Sequence, residues 1–333
     1  MLEFEKKIVH VLDCEHNNCI LSEKCMDEEY EEILKVLNSK TEKVFHSSAR
    51  KLGTFQEMSI CKKMLQQWKN ENINFETFSQ QLAQYIFDKK MELAQYHTSD
   101  LVIAVVVYEN RRYLLILDNA CVKGITHNVS NDEGYIKTEI IPYKALISAT
   151  LSKNDCAVLI ELSDESIYCV ENKVEIEAEK VNFYADIILQ SSIVPSYKEN
   201  IKNITKLTEA LTEKYDLDEV SVVPKLKSLV VDNISSNTPI QIDEIADEVF
   251  MNQPLAKDEF KAELKKQGVP KEIAVENVKP TRSEKVQKIK TDKGIEIIIP
   301  VDYMNSKEFV EFHTQPDGTI SIQLKNINHI SSK

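Results

Sequence analysis

The chain predicts an α+β fold in two domains, residues 1–190 and 191–333, and three observations carry that reading. At 333 residues it exceeds the roughly 250–300 at which a single core stops growing. Its apolar fraction of 42% and charged fraction of 29% are those of a globular protein, while six Gly and nine Pro exclude collagenous or low-complexity structure. The hydrophobic period changes along the chain, from strand-like runs to helical spacing and back again.

Phe4 to Leu12 is strand-like, and Asn17-Asn18 supplies a turn before Ile20-Leu21. Residues 27–37 are acidic and helical in pattern, with Tyr30, Ile33, Leu34 and Leu37 on one face. Two periodic helices follow. One carries Met58, Cys61, Leu65 and Trp68; the other runs from Phe75 through Phe78, Leu82, Ile86 and Leu93 to Tyr96, with Asn74 as its N-cap. Leu101 to Tyr108 is apolar without alternation, as suits a strand buried on both faces. Glu109 to Arg112 turns it back into Tyr113–Leu117. Ile136–Ile141, Ala157–Leu162 and Ser166–Val170 are further strands, the last two joined at Asp164-Glu165. These elements predict an N-terminal domain of helices on an antiparallel sheet.

From about Ser191 the spacing is helical: Ile201, Ile204, Leu207, Leu211 and Tyr215 share one face, and Val222, Leu226, Leu229, Val230 and Ile234 another. Ile242, Ile245 and Val249 mark a short third helix. Pro254 opens a fourth, Leu255–Gln267, stopped by Gly268 and Pro270. The last block returns to β, with alternation at Ile295–Val301 and Ile320–Leu324 and a turn signal at Pro316-Asp317-Gly318. Val275–Ser283 is the hinge candidate. The C-terminal domain is thus helical and winged-helix-like, closed by a β-hairpin sheet.

The longest apolar run has eight residues, against roughly 20 for a bilayer span, and no secretory signal is visible, so a cytoplasmic, non-membrane protein is expected. Seven cysteines without such a signal read as reduced thiols. Cys14, His16, Cys19 and Cys25 are acceptable zinc ligands within twelve residues, but the paired knuckles of a structural site are missing, so free thiols are favoured over a metal. Six dispersed glycines exclude a P-loop and a dinucleotide fingerprint, and no H-E-x-x-H, G-x-S-x-G or kinase set is present. No catalytic residue and no cofactor are expected. A metal-dependent nuclease in phage defence, built on dispersed carboxylates such as Asp155 and Glu161, is the weakest alternative.

The formal charge of −13 is segregated. Residues 1–34 hold ten acids and three bases, and residues 155–189 nine acids and two bases, −7 in each case. Residues 40–69 hold seven bases and two acids, and residues 257–293 eleven bases and seven acids, net +5 and +4. Lys257, Lys261 and Lys265 recur at four-residue steps, placing them on one helix face, and the last helix of a winged-helix-like reader enters the major groove. Candidate phosphate contacts are Lys257, Lys261, Lys265, Lys266, Lys285, Lys288, Lys290, Arg50, Lys51, Lys62 and Lys63. Only four of the 41 bases are Arg, and the bidentate guanidinium fork does most base recognition, so backbone contact with little sequence preference is expected.

The runs F-E-T-F-S-Q-Q-L-A-Q-Y-I-F (75–87), S-D-L-V-I-A-V-V-V-Y (99–108), R-Y-L-L-I-L-D (112–118), T-H-N-V (126–129) and I-I-P (140–142) resemble the bacterial nucleoid-associated family called NdpA-like. G-I-E-I-I-I-P-V-D-Y (294–303) and D-G-T-I-S-I (317–322) are similar to that family's closing hairpin. The resemblance implies a place in the nucleoid and contact with DNA or with type II topoisomerase subunits, and it carries no catalytic residues. The partners expected are DNA through its backbone, a topoisomerase or other nucleoid protein, and a second copy in a homodimer. The rival class is a protein-interaction module that reaches DNA only through such a partner, docking it by the acidic segments.

Overall fold

The computed structural model describes residues 2–331 apart from 28–29, 94–96, 133, 149, 276–277, 305 and 318. Tyr96, Gly318 and the Glu276-Asn277 part of the hinge candidate therefore lie outside the described residues. The chain divides into two compact units, Met1–Val194 and Pro195–Lys333.

The first unit opens with strands β1 (Glu3–Asp13) and β2 (Asn18–Ile20), helix α1 (Glu31–Phe45), strand β3 (Lys51–Phe55) and helices α2 (Ile60–Lys69) and α3 (Phe75–Glu92). Then come β4 (Ser99–Tyr108), β5 (Arg111–Ala120), β6 (Val122–Asp132), β7 (Tyr135–Leu146), β8 (Cys156–Glu161), β9 (Ile167–Val170), β10 (Val174–Ile176) and β11 (Glu179–Val181). A π-helical turn over Phe183–Ile188 leads into β12 (Ser191–Val194). Eight strands form one antiparallel sheet in the order β12-β3-β9-β8-β5-β4-β1-β2.

The continuous apolar run of β4 is explained by burial on both sides of this sheet. Leu101, Ile103 and Val105 join a core with Leu65 of α2 and Phe78, Leu82 and Ile86 of α3. Val102, Ala104 and Val106 face the other way, against Leu37, Val44 and Phe45 of α1. β4 and β5 meet in a two-residue turn with Glu109 and Asn110 at φ 49° and 63°, the backbone of a type I′ hairpin. Asn74 caps α3, its side chain accepting from the Thr77 amide at 2.7 Å. The helix expected over 27–37 begins at Glu31 and continues to Phe45, because Lys40 and Thr41, polar by type, are buried along with Val44 and Phe45. Among the described residues β6 and β7 pair only with each other, as a ribbon of its own.

The second unit comprises α4 (Tyr197–Lys214), α5 (Glu219–Ser235), β13 (Ile240–Gln241), α6 (Ile242–Val249), α7 (Pro254–Lys266), β14 (Glu272–Ile273), α8 (Arg282–Lys285), β15 (Val286–Lys290), β16 (Glu296–Pro300), α9 (Val301–Met304), β17 (Val310–Thr314) and β18 (Ile320–Leu324). A reciprocal capping box between Ser196 and Glu199 starts α4. Pro254 stands in the first turn of α7, and Gly268 just past its end takes φ +74°. Ile204, Leu226, Val230, Ile245, Phe260 and Leu264 close the helical core. The two C-terminal alternating runs do not pair with each other, as a single closing hairpin requires. β16 pairs with β15 and β18 with β17, because the nearest strand in sequence is reached first. A small core of Ile299, Met304 and Val310, with Phe312 and Ile322, lies under these ribbons.

Candidate nucleic-acid interface

α6, the four-residue turn Phe250–Gln253 and α7 have the spacing of a helix-turn-helix, and β13 pairs with β14 beside them. The lysine face of α7, however, is turned onto α6. Lys257 is ion-paired with Asp247, and Lys261 with Asp243 at 2.6 Å and Asp247 at 3.7 Å. The Lys257 hydrogen bond and the charges of both lysines hold the Asp247 carboxyl below the usual range. Lys266 pairs with Glu263 at 2.5 Å. Lys265 is exposed and has no ion pair among the described residues. The outward stripe of α7 carries Leu255, Asp258, Ala262 and Lys265, which is not a basic face.

A second group of bases lies along α8 and β15. A capping box between Thr281 and Glu284 starts α8, and the Tyr197 hydroxyl donates to Glu284 at 3.1 Å. The half-buried Lys227 ammonium donates to the Val286 carbonyl at 3.0 Å, tying α5 to the start of β15, and burial pushes its pKa down. Lys288 and Lys290 fall on one side of β15 by strand alternation. Lys288 pairs with Glu296 at 2.8 Å, whereas Lys285 and Lys290 are exposed without an ion pair among the described residues. Lys288, Lys290 and Lys293 also border a groove of about 650 Å³ whose far wall is Phe312, Ile320 and Ile322.

The candidates of the first unit are scattered. Lys51 is buried, its ammonium donating to Asn182, so it points away from any external phosphate. Arg50 lies 5.3 Å over the Tyr168 ring and donates to the Phe45 carbonyl. Lys62 sits 3.9 Å from Glu165, which also binds Lys69 at 3.0 Å. Lys63 is exposed. The thiol and imidazole group does not converge: His16 bonds to Asp13 at 2.8 Å and Cys25 donates to Glu76 at 3.2 Å. Asp155 and Glu161 flank opposite ends of β8, and each has its own cation, Lys40 for one and Arg111 for the other.

Sequence spacing misses a buried polar pocket in the first unit. Lys90 of α3 binds Asp118 of β5 at 2.6 Å and donates to Ser99 at 2.8 Å, while the Tyr184 hydroxyl donates to the same Asp118 oxygen at 2.7 Å. Burial drives the Asp118 carboxyl upward, but Lys90 and these hydrogen bonds outweigh it and keep it below its ordinary value. Its other oxygen is buried with no hydrogen-bond partner among the described residues. Next to it Lys40 reaches Asn119 at 2.5 Å and Asp155 at 3.3 Å. These groups adjoin a cavity of about 250 Å³ lined by Lys90, His97, Asp118, Cys156, Glu171 and Tyr184. Cys156, Cys169 and Glu171 bring three potential ligand atoms within 4.8 Å of one another. Both Glu171 oxygens already accept, from the Tyr184 and Ala185 amides at 2.8 and 2.9 Å and from the Cys169 thiol at 3.4 Å. Burial pushes the Glu171 carboxyl up, so the trio stands as a hydrogen-bonded cluster. The contributing residues span 40 to 184, and no local motif announces them.

Fold and surface together define an acidic α+β protein of two units that carries exposed lysines without an ion pair among the described residues. The chain belongs to the family described as nucleoid-associated protein YejK, whose family model matches residues 8–330. No curated protein matches the chain. Among the described residues no helix is long and apolar enough to cross a membrane.

Proposed function

We propose that this nucleoid-associated protein holds DNA by phosphate contacts, without a catalytic step and with little sequence preference. The observation that carries the reading is the run of exposed lysines along α8 and β15, with Lys265 a further exposed lysine on α7, in a chain that is otherwise strongly acidic. Attraction to phosphate acts over roughly 8–10 Å, so local charge decides contact where the total does not. Lys285, Lys290 and Lys265, with Lys288 released from its surface pair, offer three to four contacts. Lys257 and Lys261 contribute less, because binding phosphate requires them to leave Asp243 and Asp247. Fluorescence anisotropy on random-sequence duplexes tests the reading. Binding at low salt with equal affinity for unrelated sequences is expected, and preference for one sequence by more than about 100-fold contradicts it.

A second reading has the protein reach DNA through a partner such as a topoisomerase subunit, and the pairing of Lys257 and Lys261 supports it. Pull-down from nuclease-treated lysate separates the two: a partner retained without DNA favours the second, and loss of all partners the first.

A further inference from the structure

The β6–β7 ribbon is two-sided, and the sides differ. Cross-strand partners share a face, so Ile125, His127, Val129 and Asn131 of β6 lie with Pro142, Ile140, Thr138 and Ile136 of β7. All eight positions are exposed, with Ile125 at 78%, Val129 at 57%, Ile136 at 79% and Ile140 at 80%. The opposite face carries the Lys137–Glu139 ion pair at 2.8 Å. A two-stranded hairpin alone in water is marginally stable, and four aliphatic side chains on one face need cover.

We propose that residues 122–146 are a dimerisation arm whose Ile125, Val129, Ile136 and Ile140 face packs on the same face of a second copy across a two-fold axis. Charge selects this occupant. In a chain with 29% charged residues, the eight positions hold no Asp, Glu, Lys or Arg. DNA needs lysines there and an ionic protein partner needs a complementary charge, whereas two copies of this acidic chain meet at an uncharged face without repulsion. Shape agrees with charge. The aliphatic residues alternate between strands, one per rung, each opposite a Pro, His, Thr or Asn. Two such faces related by a two-fold axis therefore interleave large against small.

Area sets the strength. At roughly 60–120 Å² of apolar surface per aliphatic side chain, eight from two copies bury about 500–900 Å². The flanking Pro142, Thr138 and His127 bring the contact near the roughly 1,000 Å² at which specific interfaces begin, so a micromolar dimer is expected.

Sedimentation equilibrium of the full chain tests it. The mass should rise from 38.2 kDa toward twice that value over about 1–100 μM, and an uncharged interface should shift its Kd by less than about threefold between 50 and 500 mM salt. Ile140→Asp and the milder Ile136→Ser should each weaken association at least about tenfold, because one buries a charge and the other removes apolar area. Asn128→Lys, on the opposite face, should leave association unchanged. A monomer at all concentrations overturns the proposal, as does equal association of the wild type and both face variants, or equal loss with Asn128→Lys.

Discussion

Two buried groups dominate at the scale of single residues. Lys90 and Asp118 are both buried and paired at 2.6 Å. Removing one member of such a pair leaves an uncompensated charge, so Lys90→Met should lower stability by about 3–5 kcal/mol in denaturant unfolding. His10 is buried; its Nδ1 accepts from the Ser22 amide at 3.1 Å, and its Nε2 has no partner among the described residues. Burial lowers its pKa to about 4, against about 6.5 when unfolded, so the folded state prefers the neutral ring. That preference stabilises fully above pH 6.5 and is lost as pH falls from there toward 4. His10→Gln should flatten the decline of stability between pH 6.5 and 4, and an unchanged pH profile counts against this. Lys40 and Lys51 explain what composition could not disclose. Both were counted among the bases of residues 40–69, yet both are buried, held by Asn119 and Asp155 in one case and Asn182 in the other. Partners more than 75 residues away leave no local trace in the sequence.

At the scale of elements, legibility followed the period of the apolar residues. The double-sided burial of β4, the N-cap of α3 and the end of α7 were readable because each is set by its neighbours in the chain. β6 was not, since Thr126-His127-Asn128-Val129-Ser130-Asn131 shows no alternation alone. Its apolar face exists only once β7 supplies the intervening residues. The lysine periodicity of α7 was visible, but the acids of α6 that receive it lie on a different element. This distinction predicts unequal variants. Lys285→Glu with Lys290→Glu should weaken DNA binding at least about tenfold and flatten the salt slope by roughly two contacts, as anisotropy reads it. Lys257→Ala with Lys261→Ala should change affinity by less than about threefold. The reverse order would move the interface back to α7. Ser196→Ala, which removes the α4 capping box, should cost about 1 kcal/mol in denaturant unfolding.

For the whole molecule the net charge of −13 hides the uneven distribution of bases along the chain. The family match over residues 8–330 supports nucleoid association, and the DNA contacts proposed for it are exposed lysines of the second unit. Each phosphate contact contributes about −0.9 to the slope of log K against log salt, so three to four give roughly −3 to −4. The measurement is an anisotropy titration of the full chain on a random duplex at several salt concentrations. A slope of roughly −3 to −4 is the expected result, and no binding at about 50 mM salt, or binding with a slope near zero, contradicts it.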